Sequence, residues 1–149
     1  MALKKIKPLS PNIYLGHTVG DNDLARLGHV NDIVSKFRKV HEFEVPALGD
    51  TIRIIPNHVE TIVTFKAPLT DNFTIEVLID PRLSVDLGPG DKMYIFLEGA
   101  GISGNAKVTF TGPIDVTQCG DSDNMYSTGD PVCLEVIYSG TKFIGIDNC

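Results

Sequence analysis

The chain has 149 residues, of which 42% are hydrophobic and 21% charged, a composition typical of one globular domain with or without an arm. No apolar run approaches the roughly 18 residues of a membrane helix, and the basic N-terminus lacks the apolar stretch of a signal peptide. We therefore expect a protein made in the cytoplasm, with no membrane as its partner.

The net charge of −6 is distributed unevenly along the chain. Residues 1–41 carry seven Lys or Arg and three Asp, for a net charge of +4, whereas residues 42–149 have a net charge of −10. A basic arm on an acidic body predicts that the arm docks to an acidic surface. Nucleic acid is disfavoured as a partner, because the body is acidic and the basic residues of the arm are dispersed without interleaved aromatics.

The N-terminal part, residues 1–45, is predicted to be an anchoring arm that contains one helix. Prolines and glycines interrupt residues 1–20, and a helix is predicted over 22–38, with Asp21 as its N-cap and basic residues at its C-terminal end. Its apolar stripe fits either a helix packed on its own body or a seam between copies around a symmetry axis. The predicted partner and oligomer contacts are Ile6, Tyr14, Leu15, Leu24, Leu27, Val30, Val34 and Phe37.

The second part, residues 46–149, is predicted to be a β-domain. Apolar residues alternate with others over 73–79 and 132–138, which is the period of a half-buried strand. Further strands are predicted at 51–55, 61–65, 92–98, 107–111 and 142–146, the last one following a tight hairpin turn at Ser139-Gly140. The fold class is therefore mainly β, an antiparallel sandwich or barrel-like domain preceded by the arm and helix.

Three Gly-Asp dipeptides precede β-like runs, at Gly49-Asp50, Gly90-Asp91 and Gly129-Asp130. Glycine permits a positive φ, and an aspartate side chain can accept a hydrogen bond from nearby backbone. We interpret the dipeptides as turns that open hairpins.

Several motifs resemble functional sites but lack a required part. Residues 99–104 match G-x-G-x-x-G, yet a strand-like run and not a helix follows them. Residues 121–124 resemble the start of a calcium loop, without its glycine and closing glutamate. The four histidines and the three cysteines have no metal-ligand spacing.

These absences predict no catalytic residue, no cofactor and no metal. Two readings stay open: a hydrolase whose carboxylates meet in space, and an inter-chain disulfide through Cys149. For all three cysteines, Cys119, Cys133 and Cys149, the main expectation is buried thiols in a reducing compartment.

Three segments resemble virion proteins of tailed phages. Residues 23–34, which include ARLGHVN, resemble a segment near the N-terminus of structural proteins from phages of Bacteroidetes-type hosts, including crAss-like phages. Residues 133–143 are similar to the closing hairpin of phage fibre and capsid-decoration β-domains, with Phe143 where tryptophan is usual, and residues 90–95 resemble their opening. The resemblance implies a virion component, commonly a homotrimer, with an N-terminal anchor and no catalytic residues.

We therefore expect a non-enzymatic virion structural protein, an auxiliary capsid, head-fibre or decoration subunit. Its expected partners are further copies of itself and other virion proteins, with the major capsid protein first among them. The alternative is a ligand- or glycan-binding β-module such as a fibre tip, with a concave surface near residues 121–126.

Overall fold

The computed structural model describes residues 37–100 and 106–146. The chain divides into two compact units, residues 1–36 and 37–149. The predicted helix over 22–38 lies outside the described residues except at its end, where the prediction is wrong for Arg38, which begins a strand. Phe37 is described, whereas the other predicted partner contacts are not: Ile6, Tyr14, Leu15, Leu24, Leu27, Val30 and Val34.

The described residues form a mainly β structure, as predicted. The strands are β1 (Arg38–Phe43), β2 (Thr51–Ile54), β3 (Glu60–Phe65), β4 (Phe73–Val77), β5 (Lys92–Leu97), β6 (Lys107–Thr111), β7 (Ile114–Asp115), β8 (Met125–Ser127), β9 (Val132–Tyr138) and β10 (Phe143–Gly145). β1 lies in the segment assigned to the arm from the sequence, so residues 38–43 are part of the β structure.

The strands are arranged in two mixed sheets. The six-stranded sheet has the order β1-β3-β5-β9-β10-β7, and the four-stranded sheet has the order β2-β4-β6-β8. Successive strands from β1 to β9 alternate between the sheets, so the chain winds from one sheet to the other. The strands β1, β3 and β5 are consequently parallel, and so are β2, β4 and β6.

This pairing corrects the expectation of antiparallel hairpins. Among the described strands, β9 and β10 are consecutive and antiparallel in one sheet, joined by residues 139–142 with Gly140 at φ 107°. The hairpin at Ser139-Gly140 is therefore confirmed. The connections 44–50, 55–59 and 66–72 are longer than tight hairpin loops and cross the roughly 10 Å between two packed sheets. Alternation of apolar and polar residues requires only that one face of a strand is buried. A strand in a hairpin meets this requirement, and so does a strand whose successor lies in the other sheet.

The inward faces of the two sheets enclose one hydrophobic cluster. The predicted alternation is confirmed in β4, where Phe73, Ile75 and Val77 are buried, and in β9, where Leu134 and Val136 are. Burying each such side chain contributes roughly 1.5–3 kcal/mol to folding. The core thus uses one face of each sheet and leaves the opposite faces available for other contacts.

The turn chemistry expected of the Gly-Asp dipeptides is confirmed in two cases. Gly49 and Gly90 have φ of 82° and 93°, and the carboxylates of Asp50 and Asp91 each accept a hydrogen bond of 2.8 Å from the backbone N–H three residues earlier. Both turns lead into strands whose successor lies in the other sheet, so they do not open hairpins. Gly129 precedes the β9–β10 hairpin without a positive φ.

The cysteines also differ from expectation. Cys119 is disulfide-bonded, whereas Cys133 has a free thiol. Cys149 lies outside the described residues. The expectation of reduced thiols was therefore wrong for Cys119, because spacing along the chain does not say which thiols the fold brings together.

Candidate interaction surface

The outer face of the four-stranded sheet is polar. Register places Thr51, Thr74 and Thr109 side by side across β2, β4 and β6, and Arg53 beside Glu76. The Arg53 Nε–H donates to the Glu76 carboxylate at 2.8 Å. Threonine suits an exposed strand position, and charged side chains keep it hydrated. This face is therefore typical of a sheet surface in water.

The outer face of the six-stranded sheet is different, because large apolar side chains lie on it among charged and polar ones. We call this set the apolar strip, and it consists of Val40, Ile62, Tyr94, Phe96, Ile137 and Ile144. Val40, Phe96 and Ile144 are 52%, 46% and 39% exposed, and the other members are half-buried. Contiguous exposed apolar surface of this kind marks interaction sites in folded proteins.

Strand register arranges the apolar strip in two runs, which the Lys92–Glu135 ion pair separates between β5 and β9. Val40 lies beside Ile62, and Ile62 lies beside Tyr94, across the parallel strands β1, β3 and β5. Ile137 lies beside Ile144 across the β9–β10 hairpin. The strip therefore crosses five of the strands of this sheet, and it reaches the sheet edge at β1.

Ion pairs lie at the edges of the apolar strip and across its middle. Arg38 Nε contacts Glu60 at 3.1 Å, Lys92 Nζ contacts Glu135 at 3.0 Å, and a further pair joins Lys142 to an aspartate at the opposite end. The hydrogen bond and the charge of Glu135 raise the pKa of Lys92. Such exposed pairs add little to the stability of the fold, so their main effect is to hold charges in a fixed geometry beside the apolar side chains.

The aspartate of the third pair, Asp115, is held in its charged form. Its carboxylate accepts hydrogen bonds from the hydroxyl and the amide of Thr117 at 2.6 and 3.0 Å. These bonds, and then Lys142, lower the pKa of Asp115. Asp115 therefore keeps its negative charge well below neutral pH.

A groove of about 590 Å³ adjoins the strip where β3 and β5 end and β9 begins. Phe96 is shared by the strip and the groove, and Leu69 and Pro131 add apolar lining, with Lys66 at the wall. Cys133 also lines it, and burial, followed by the charge of Glu135, raises the pKa of its thiol. A thiol of raised pKa is a poor nucleophile at neutral pH, so the groove is suited to binding and not to thiolate chemistry.

The loop over 121–126 is occupied by interactions within the fold. Asn124 adopts φ 61°, and its side-chain amide donates to the carbonyls of Phe110 and Ile114 at 3.0 and 2.9 Å. Its carbonyl accepts from the amide of Val116 at 2.7 Å, and Tyr126 packs against the core. The residues that the sequence offered for a glycan surface therefore hold β6, β7 and β8 together.

The other predicted sites have the following outcomes. In the G-x-G-x-x-G motif Gly99 and Ala100 are described and residues 101–104 are not, while β6 confirms that a strand follows it. Phe37, the one predicted contact that is described, is 53% exposed and directly precedes β1.

The structure brings together two histidines that the sequence kept apart. Burial, followed by the charges of Lys39 and His58, lowers the pKa of His41, so its ring is neutral at neutral pH.

Among the described residues, no group of three His, Cys, Asp or Glu is placed to hold a metal ion. Within the same residues, no helix has the length and apolar character to cross a membrane.

Reading the sequence missed the apolar strip, although the signal was present. In residues 92–97 the core residues Met93, Ile95 and Leu97 alternate with Tyr94 and Phe96, so both faces of this strand carry large apolar side chains. A strand that is apolar on both faces predicts cover on both.

Comparison of the chain with family models, with curated proteins and with solved structures gives no significant match. We therefore infer the function from the geometry of the candidate interaction surface and from the residues that form it.

Proposed function

We propose that this protein is a non-enzymatic structural component of a tailed-phage virion, an auxiliary capsid, head-fibre or decoration subunit. The observation that carries the proposal is the contrast between the outer faces of the two sheets. One face has threonine and charged side chains, as a solvated surface does, whereas the other has the apolar strip, with ion pairs at its edges and one ion pair across its middle. Exposed apolar patches among polar side chains mark interaction sites on folded proteins.

In this proposal two regions of the chain make different contacts. The N-terminal arm attaches the protein to the particle and to further copies of itself, with a homotrimer as the form that the resemblance implies. The apolar strip packs against a neighbouring virion protein, for which the major capsid protein is the first candidate. The resemblance of residues 23–34 and 133–143 to phage structural proteins supports both assignments.

Purified particles of the phage that encodes this chain provide the test. Mass spectrometry and electron microscopy with an antibody against the chain are expected to find it at regular positions on the virion. Its absence from purified particles would overturn the proposal.

A pair of variants connects incorporation to the strip. Phe96→Glu puts a charge at the groove end of the apolar strip and is expected to reduce incorporation at least about tenfold, because loss of an aromatic anchor from an interface commonly costs more than 1 kcal/mol. Thr109→Glu is the matched control on the polar face of the other sheet, and it should be incorporated normally. Equal incorporation of the two variants would exclude the strip as the contact.

The groove favours a second candidate, a ligand- or glycan-binding module. Its volume lies within the range of 300–1,000 Å³ that is usual for small-molecule sites, and its lining combines aromatic, proline and charged side chains. A glycan array probed with the full chain is the measurement. Binding that Lys66→Ala removes would support this candidate, since Lys66 lines the groove and lies outside the strip, and an array without binding would count against it.

A further inference from the structure

The strand β1 presents an open edge of the six-stranded sheet. It pairs with β3 on one side, and no described strand pairs with its other side. An edge strand offers unpaired N–H and C=O groups to a further strand, and proteins commonly block such an edge with proline, a bulge, a short strand or charged side chains. β1 is six residues long, contains no proline and keeps unbroken register with β3, but it carries Arg38, Lys39 and Glu42. The edge is therefore suited to a further strand whose charges are complementary to its own.

The outward side chains of β1 have a charge pattern that is complementary to itself. Arg38 and Glu42 lie at equal distances along the strand from Val40, and all three share the outer face. In an antiparallel pair, directly opposite residues share a face, so two such strands centred on Val40 place each arginine opposite a glutamate.

Both charged groups have capacity for this contact. The Arg38 side chain uses its Nε–H on Glu60, and a guanidinium has four further N–H donors. The Glu42 carboxylate is exposed and makes no hydrogen bond or close ion pair with any residue that the structure describes. An arginine with free donors and a glutamate without a hydrogen bond or close ion pair among the described residues are the two halves of a cross-strand ion pair.

We propose that the occupant of this edge is a second copy of the chain, with the two β1 strands antiparallel about a two-fold axis at Val40. Arg38 of each copy then pairs with Glu42 of the other, and the two Val40 side chains meet at the axis. The two six-stranded sheets become one sheet of twelve strands. The two apolar strips meet at the axis, and this last consequence rests on the proposed function of the strip.

The inner face of the paired strands accommodates the same register. Lys39 of one copy lies opposite His41 of the other, and His41 is neutral at neutral pH because burial, Lys39 and His58 lower its pKa. One charge therefore faces a neutral ring at each position. Like charges directly opposite each other, which would oppose pairing, are avoided.

The mass of the full-length chain in solution tests the proposal without any phage particle, so its failure is distinguishable from failure of the proposed virion role. Light scattering during size-exclusion chromatography is expected to give twice the mass of the chain, or six times that mass where the arm also holds three copies together, as the proposed virion role has it. Arg38→Glu alone and Glu42→Arg alone each create repulsive pairs and are expected to halve that mass, with the dissociation constant raised about tenfold or more. A wild-type chain that remains single at high concentration, or an odd number of copies, would overturn the proposal.

Mixing the two charge variants is the sharpest form of this experiment. The Arg38→Glu copy and the Glu42→Arg copy are complementary only to each other, so the mixture is expected to recover the paired mass that neither variant forms alone. Recovery also shows that both variants are folded, although Arg38→Glu loses its contact with Glu60. A mixture that stays unpaired, with both variants folded by circular dichroism, would refute the Val40-centred register.

A cross-link at the axis provides an independent readout. Paired residues on antiparallel strands have Cα atoms about 4.5–5.5 Å apart, which fits a disulfide. Val40→Cys is therefore expected to form covalent dimers on mild oxidation, whereas Val85→Cys, which is 65% exposed in the β4–β5 loop, is the control and should not. Equal cross-linking of the two variants, or none at Val40→Cys, would contradict the two-fold axis.

Discussion

For two buried threonines, we predict that substitution by valine changes the free energy of unfolding differently. Thr128 and Thr61 are each 1% exposed. The Thr128 hydroxyl accepts from the amide of Ala106 at 2.9 Å and donates to the carbonyl of Ala106 at 3.0 Å. The Thr61 hydroxyl has no hydrogen-bond partner among the described residues. Replacing each threonine by valine removes the hydroxyl and keeps the shape of the side chain.

The expected cost of Thr128→Val follows from the groups left behind. The carbonyl of Ala106 keeps a bond of 2.9 Å from the amide of Thr128, so it remains satisfied. The amide of Ala106 loses its acceptor in a fully buried position, and an unsatisfied buried donor costs about 1–3 kcal/mol. Thr128→Val should therefore lower the free energy of unfolding by about that amount.

For Thr61→Val no hydrogen bond is lost, and an unpaired hydroxyl is replaced by a methyl group in the core. The free energy of unfolding should stay unchanged or rise by up to about 1 kcal/mol. Urea denaturation followed by circular dichroism measures both variants against the wild type. Equal destabilisation by the two substitutions, or a stabilising Thr128→Val, would refute this reasoning about buried hydrogen bonds.

Three further predictions concern the fold. Asn124→Ala removes three side-chain hydrogen bonds and should lower the free energy of unfolding by about 2–4 kcal/mol in urea denaturation, whereas a loss under 1 kcal/mol would show that this amide does not hold β6 to β8. Because the pKa of His41 is lowered on folding, the unfolded chain binds more protons, so stability should fall as the pH drops below about 6.5. His41→Gln should flatten this dependence, and an unchanged slope would assign it to other groups. Gly112→Ala should prevent or strongly weaken folding, because φ is 89° and the new Cβ would collide with the backbone carbonyl of Val77. Gly90→Ala is the control, since the space around Gly90 is open. In thermal unfolding it should cost only about 1 kcal/mol of backbone strain.

The sequence predicted where most strands lie, because alternation of apolar and polar residues directly reflects one buried face. The strands β2, β3, β4, β5, β6, β9 and β10 lie close to their predicted positions. Pairing was not predictable in the same way, because a period of two is equally compatible with a hairpin and with a crossing to the other sheet. The loops that cross between sheets differ from hairpin loops in length and not in residue type.

The strands that were missed depend on tertiary contacts. β7 and β8 have two and three residues, too few for a visible period, and the side chain of Asn124 positions them. β1 was assigned to the arm and to the end of a helix because Arg38 and Lys39 suit a helix C-terminus as well as an edge strand. In the structure, pairing with β3 stabilises these residues as a strand and not as a helix, since Val40 and Phe43 lie beside Ile62 and Phe65.

The candidate surface was less accessible to prediction than the fold. An outward side chain on a strand has no local signal that distinguishes solvent from a partner. The strip appears only when the register brings Val40, Tyr94 and Phe96 onto one face from strands that are far apart in the sequence. The outer face of the four-stranded sheet, with Thr74 and Thr109, is polar, and this difference distinguishes the apolar strip from an ordinary solvated sheet face.

Hydroxyl-radical footprinting tests most directly whether the apolar strip is a docking surface, because aromatic and sulfur-containing side chains report their own exposure. Oxidation is compared between the free chain and the chain within purified phage particles. If the apolar strip is a docking surface, oxidation of Tyr94 and Phe96 is expected to fall severalfold in the particle. Met125, on the outer face of the four-stranded sheet, is expected to react as in the free chain. Protection of Met125 with Tyr94 and Phe96 unchanged would contradict the account.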